Sequence, residues 1–373
     1  MKKIFALLLI AALLCGCSPV EEEQNIPDPP EISFSENEEE NPGENKEPEQ
    51  EKTGEISEYP DILEFLGATD LAQVQLIHDN TAFVLSYNRD IDEGEGFGTT
   101  VSQYSFETGE AENLFEGSAY MEYSNMLYVK DIDLVGTGVF TGKQVFYGGE
   151  AYNLGGRPNE CDFCFATQSF VYVDENDKTK LYRKNLPSGE EKIIFEISGE
   201  ENKFLAAPQI SPSGKYIVIF ECIYTISYLE RIICIDYEGN LIFEKEFGES
   251  VYSETARWFT DENFAVFLQN GEETPSEIKI FDVSGNETAN IKLDFVYEKI
   301  QNDMLKSYPY GIVSRRNNNG FSESIMLINF ENGLLQEIYT SGEEGIIFGA
   351  DISPSGKTLC WIENDSIMKK SIG

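Results

Sequence analysis

The sequence predicts an all-β chain built from a repeated unit of two hairpins. Three observations point there. The hexapeptide Ile210-Ser211-Pro212-Ser213-Gly214-Lys215 recurs unchanged as Ile352-Ser353-Pro354-Ser355-Gly356-Lys357, 142 residues later. Turns that join a polar residue to a glycine recur at Gly109, Gly149, Gly189, Gly239, Gly285 and Gly333, in steps of 40, 40, 50, 46 and 48. Period-2 alternation and runs rich in β-branched and aromatic residues dominate, as at 82–87, 170–173, 231–236 and 277–281, and few stretches hold a helical period.

Each observation has a local cause. In the hexapeptide, Pro presets φ and Gly supplies a positive φ, so one strand ends and another begins. The apolar runs that follow, 216–220 and 358–362, read as those second strands. Looser copies of the same anchor start near 77, 122, 165, 258 and 308. With the two exact copies they make seven anchors, about 46 residues apart. The six glycine turns fall between them, so each unit holds two hairpins and four strands. Four-stranded units in series are the blades of a β-propeller. Seven blades are expected; six or eight stay open because the copies near Glu122 and Tyr308 are degenerate. The chain past Ile352 has room for the rest of a hairpin and a third strand near 366–370. The missing outer strand is expected from Asp61-Ile62-Leu63-Glu64-Phe65-Leu66, an overlap of the two ends that removes exposed sheet edges.

The anchor resembles the WD-like repeat of TolB-type propellers, whose turn reads Ser-Pro-Asp-Gly-Lys. The match is strong over 209–220 and 351–361 and looser over 256–267. Both strong copies carry Ser where that family has Asp. The resemblance implies a blade and no chemistry. The α/β domain that precedes the TolB propeller has no counterpart in this length of chain, so its partners are not carried over. Prolyl-oligopeptidase-type enzymes use similar blades, but no hydrolase domain is expected in these 373 residues beside the propeller.

Ahead of the repeats, Lys2-Lys3 precedes an apolar run, 4–14. That run is too short to span a bilayer as a helix and has the length of a signal-peptide core. Leu14-Cys15-Gly16-Cys17 resembles the bacterial lipobox. The resemblance implies removal of residues 1–16 and lipid on the Cys17 sulfur. Residues 18–58 then carry 15 acidic side chains against 2 lysines. A segment that charged and that poor in apolar residues does not offset its ordering entropy. We therefore expect 17–58 to be a disordered acidic tether of about 35 Å, and 59–373 to be the propeller domain. The implied address is a membrane, with the chain lipid-anchored on its extracytoplasmic side, at the cell surface or in a periplasm.

The whole chain carries a net charge of −40. Such a surface repels phosphate backbones, which disfavours nucleic acid as a partner.

Few residues offer chemistry. His78 is the one histidine; it falls in a blade turn and is expected on the surface. A multi-histidine zinc site needs more, and no Gly-x-Ser-x-Gly elbow occurs to support a Ser-His-Asp triad. The run Gly136 to Gln144 resembles a phosphate loop only superficially, since Thr137 and Gln144 stand where the pattern needs Gly and a hydroxyl. Cys161 and Cys164 form a Cys-x-x-Cys outside any thioredoxin-like setting; a local disulfide or two buried thiols are the readings. Cys222 and Cys234 flank a hairpin and are expected to face each other across it as a second candidate disulfide. Cys360 reads as a core thiol. Asp90, Asp92, Asp174 and Asp177 gather oxygen ligands of the kind calcium accepts, without EF-hand spacing. No other cofactor is indicated.

Three readings of function follow. The leading one is a tethered propeller that binds a protein, a peptide or a glycan. The second is a lyase or hydrolase that uses carboxylates at the channel. The third is a structural lipoprotein of the envelope.

Overall fold

The structure is a computed structural model that describes residues 54–372, apart from 89–97, 117–118, 122–125, 130–143, 148–149, 156–157, 175, 199–201, 224–227, 248–251, 270–275, 296, 300–308, 317–321, 343–345 and 354. Of the two units into which the chain divides, Lys52–Gly373 is the one described.

Its strands form seven antiparallel four-stranded sheets, the seven blades that the anchors predict. Six of them take consecutive strands in order from the innermost outward. The innermost strands of blades 1 to 7 are Asp70–His78, Ala119–Met121, Pro158–Cys164, Lys203–Ile210, Tyr252–Trp258, Tyr297–Lys299 and Ile347–Ile352. Five of the recurrent turn glycines, Gly109, Gly189, Gly239, Gly285 and Gly333, are described, and each has a positive φ. A side chain is strained at such positions, which is why the second register of glycines survives in the sequence. The anchors near Glu122 and Tyr308 lie outside the described residues, but the strands on either side pair as the repeat requires.

Apolar side chains pack between neighbouring blades. Val171 and Leu181 of blade 3 meet Ile217 and Ile233 of blade 4. Phe220 and Cys234 of blade 4 meet Trp258 and Phe264 of blade 5. Phe267 and Ile278 of blade 5 meet Val313 and Phe330 of blade 6. Ile312 and Ile325 of blade 6 meet Ile352 and Trp361 of blade 7. Cys360 and Ile367 of blade 7 meet Val74 and Tyr104 of blade 1. This last cluster closes the ring. Both tryptophans are fully buried, and each such aromatic contributes about 3 kcal/mol by burial.

The closure corrects one expectation. The outer strand of blade 7 is Ile56–Tyr59, paired with Ser366–Ser371 from Ile56↔Lys370 to Tyr59↔Ile367. Residues Ile62–Leu66, expected to be that strand, are a one-turn helix. Two local features explain this. Pro60 has no N–H to continue the pairing. The helix buries Ile62 and ends at Gly67 in a left-handed conformation, where Gly67 N donates to Glu64 O and Ala68 N to Leu63 O. The sheet thus begins at Ile56, ahead of the boundary expected at Tyr59.

The disulfide candidates are also corrected. Cys161 and Cys164 sit three apart on one strand, opposite Tyr172 and Ser169. Their Cα atoms are therefore about 10 Å apart, beyond the reach of a bridge. Cys222 lies opposite Leu229, and Cys234 opposite Val218, so the two are offset along the hairpin rather than facing. Cys164, Cys234 and Cys360 are free thiols, and neither bridge forms. Cys360 is fully buried, as a core thiol should be.

Candidate functional site

The innermost strand of each blade has an open edge toward the ring's axis, and alternate N–H groups on it have no strand to receive them. The chain meets this need with side chains. One position, two residues before each inner turn, is polar in five described blades: Gln75, Asp162, Gln209, Arg257 and Asp351. Four of the five are almost fully buried, Gln209 being the half-buried one. Asp162 Oδ2 accepts from Ile210 N of the next blade at 2.7 Å, and Asp351 Oδ2 accepts from Leu76 N of the next blade at 2.7 Å. Ile210 and Leu76 hold the same place in their repeats, so the two bonds are one device used twice. Arg257 also turns to the blade that follows, with its guanidinium over the Phe330 ring, 5.3 Å from the centroid. Trp258 supplies a contact in the other direction, donating Nε1–H to Gln209 O at 2.9 Å. Gln75 is buried, and its Oε1 has no hydrogen-bond partner among the described residues.

The turns above these strands form a second layer of joints. In the first hexapeptide Ser211 N donates to Tyr216 O and Gly214 N to Ser211 O. In the second, Ser353 N donates to Thr358 O and Gly356 N to Ser353 O. Each turn is then clasped by an aspartate from the following blade. Ser213 N donates to Asp261 Oδ1 at 2.8 Å. Ser353 Oγ and Ser355 Oγ both donate to Asp79 Oδ1 at 2.6 Å. Partial burial opposes ionisation of Asp79, but the hydroxyls of Ser353, Ser355 and Thr358, together with Lys357, outweigh it and hold its pKa below the ordinary value.

The residues singled out from the sequence do not converge. His78 is exposed at the end of the inner strand of blade 1. Asp174 and Asp177 share a loop of blade 3, where Asp174 Oδ1 accepts the Asn176 and Asp177 N–H groups. Asp177 pairs with Lys180 and accepts from Thr179 Oγ1, both at 2.5 Å, and these hydrogen bonds lower its pKa. Both carboxylates are thus engaged in fixing their own loop. Asp90, Asp92, Cys17 and residues 136–143 of the phosphate-loop lookalike lie outside the described residues, and Gln144, its last residue, begins a strand. No cluster of metal-binding side chains occurs among the described residues.

The sequence left unnoticed a cavity of about 550 Å³ beside the closing strand, lined by Glu58, Tyr59, Asp61, Glu64, Phe65 and Tyr104 among others. Only its acid-rich, aromatic lining could have marked it.

No family model and no curated protein matches this sequence. Solved structures do match its fold. A chain of the mitotic checkpoint complex aligns at 9% identity with a TM-score of 0.55, covering 91% of this chain and 98% of its own. An oligogalacturonate lyase in complex with manganese aligns at 11% identity with a TM-score of 0.54, covering 85% of this chain and 91% of its own. The likeness is of fold alone, and it agrees with the seven-sheet ring.

Proposed function

We propose that this protein is a lipid-anchored extracytoplasmic propeller that serves as an interaction module for a protein, peptide or glycan. The observation that carries the reading is the use made of the inner-strand polar groups. Asp162, Asp351 and Arg257 each turn to the next blade and brace it. Charges that would otherwise converge on a substrate near the axis are committed to holding a rigid ring. A rigid ring with polar turns suits presentation of a fixed surface, since little ordering entropy opposes binding. One of the similar folds also belongs to an assembly, the mitotic checkpoint complex.

The anchor rests on Leu14-Cys15-Gly16-Cys17 and the acidic stretch that follows. No helix among the described residues is long and apolar enough to cross a membrane, and the proposal needs none. Lipid on Cys17 would hold the ring at the membrane through a charged tether, and two or more acyl chains make such an anchor stable.

The test has two arms. Cells are fed a fatty-acid analogue that can be tagged; the wild-type chain should be labelled and sediment with membranes. Cys17→Ala should be unlabelled and soluble. The soluble chain is then screened on peptide and glycan arrays, and saturable binding without turnover is expected. Cleavage of an acidic polysaccharide in place of stable binding would replace the module with an enzyme.

A further inference from the structure

The joint that closes the ring differs at its outer edge from three other joints. At those three the turn glycine packs close to the outer strand of the preceding blade. A Cβ on Gly239 would collide with the Ile194 carbonyl, one on Gly285 would lie 2.8 Å from the Phe243 ring, and one on Gly333 would lie 3.6 Å from Ile291. At the closing joint the equivalent Gly109 has nothing within 4 Å. The space left there is the cavity of about 550 Å³ between Gly109, the closing strand and the one-turn helix. Gly189 also stands clear of its neighbours but does not line this cavity.

Three rings wall the cavity. Tyr59 and Tyr104 stand at 80° with centroids 6.2 Å apart, and Phe65 and Tyr104 at 73° with centroids 6.3 Å apart. Phe65 is 55% exposed, an unusual state for a side chain that has a cluster of rings beside it. Burial raises the pKa of both tyrosines, so their phenols stay neutral. Glu58, Asp61 and Glu64 supply three carboxylates to the lining, which contains no lysine or arginine among the described residues. Asp61 sits at the start of the helix, and its side chain makes no capping bond. The lysines of the neighbouring strand are held elsewhere. Lys370 donates to Ile338 O at 2.7 Å. Lys369 donates to Asn80, with its ammonium over Phe106, a ring that packs on Tyr59. This aromatic cluster thus already attracts one cation of the chain itself.

Aromatic faces attract a poorly hydrated cation, and carboxylates at the rim add long-range attraction. We propose that the cavity at the closing joint binds an alkylated ammonium group, a quaternary amine above all, seated against Tyr59, Phe65 and Tyr104 and balanced by Glu58, Asp61 and Glu64. The group can arrive on a free small molecule or on a lipid headgroup. Methyl groups would contact the rings, and the positive charge needs no hydrogen-bond acceptor of its own.

The experiment titrates the full chain with choline and with 3,3-dimethylbutanol, its uncharged isostere, by calorimetry. The Cys17→Ala chain is tested in parallel on phosphatidylcholine vesicles, where the lipid anchor does not contribute. Saturable choline binding is expected, with the isostere bound at least about tenfold more weakly. Phe65→Ala and Glu64→Gln should each weaken choline by about tenfold, with unchanged circular dichroism and melting. Binding to choline assigns the soluble source, and binding to vesicles alone assigns the headgroup. The proposal is overturned if neither probe binds saturably, if the isostere binds as well as choline, or if both variants bind like the wild type. Should Phe65→Ala unfold, Glu64→Gln alone decides.

Discussion

Ser355 and Asp79 are 276 residues apart in sequence, yet the Ser355 hydroxyl donates to Asp79 Oδ1 at 2.6 Å across the joint that closes the ring. The same relationship holds between Ser213 and Asp261, where the donor is the serine backbone N–H. Asp79 and Asp261 hold equivalent places in blades 1 and 5, each three residues beyond the matched inner-strand positions Leu76 and Trp258. The turn that this motif resembles carries its own Asp at the position of Ser213 and Ser355. Here the carboxylate that meets each serine comes from the neighbouring blade and ties the two blades together.

Asp79 should therefore make stability depend on pH. Its pKa is lowered in the folded state, so folding favours the ionised form. The contribution is fully present above the unfolded pKa of about 3.9 and is lost as pH falls through the lower folded value. Asp79→Asn should cost about 1 kcal/mol at neutral pH. The gap between variant and wild type in urea unfolding should close as the pH is taken below about 4. A gap that stays constant across that range would show that the carboxylate charge is irrelevant to the joint.

Asp162 and Asp351 should matter more. Each accepts a buried backbone N–H of the next blade, and a buried donor left without an acceptor costs about 1–3 kcal/mol. We expect Asp162→Ala and Asp351→Ala to lose about 2 kcal/mol each, with near-additive effects, since they brace different joints. Asp→Asn at either site should recover part of the loss, because the amide oxygen can still accept. Denaturant midpoints of the four single variants and the double alanine variant measure this. Losses below about 0.5 kcal/mol would mean that water replaces the carboxylates.

The scaffold was legible where a residue type answers a local backbone demand. Gly239 and Gly285 adopt φ of 94° and 82°, which other residues adopt only under strain, so the turn register could be counted from the sequence. Contacts between blades leave no such mark. Nothing near Ser213 points to Asp261, because their meeting depends on the stacking of two complete sheets. The closing strand was hidden for another reason. Ile56-Ser57-Glu58-Tyr59 lies at the end of an acid-rich stretch and exposes three of its four residues, so composition masked it, while Ile62 to Leu66 offered a more apolar run that folds as a helix. Cys222 and Cys234 misled through register. The hairpin is centred nearer to 226 than to 228, and that small shift separates the two sulfurs.

Cys234 and Cys360 should be silent in the native protein. Burial pushes the Cys234 thiol up to about 12 and raises Cys360 as well. A thiolate is the reactive species, so neither should react with iodoacetamide at mildly alkaline pH until the ring unfolds. Peptide mapping after labelling in native buffer and again in guanidinium measures the difference. Equal mobility on reducing and non-reducing gels should accompany it. Native labelling of Cys234 or Cys360, or a bridge between Cys161 and Cys164, would contradict the packing described.

Truncation should separate the ring from the segment ahead of it. Ile56 to Tyr59 pair with Lys370 to Ile367, and Tyr59 packs on Phe106 of blade 1 with ring centroids 4.9 Å apart. A chain that starts at Lys52 retains all of these contacts and should melt like the full chain. A chain that starts at Asp61 loses the outer strand of blade 7 and leaves Ser366–Ser371 as an open edge. Unpaired edge N–H and C=O groups recruit other strands, so this shorter chain should melt earlier and associate as its concentration rises. Adding the peptide of residues 52–60 in excess should restore part of the stability by mass action. Thermal scans and light scattering on the two truncations decide the matter, and equal melting of both would show that the ring closes without its borrowed strand.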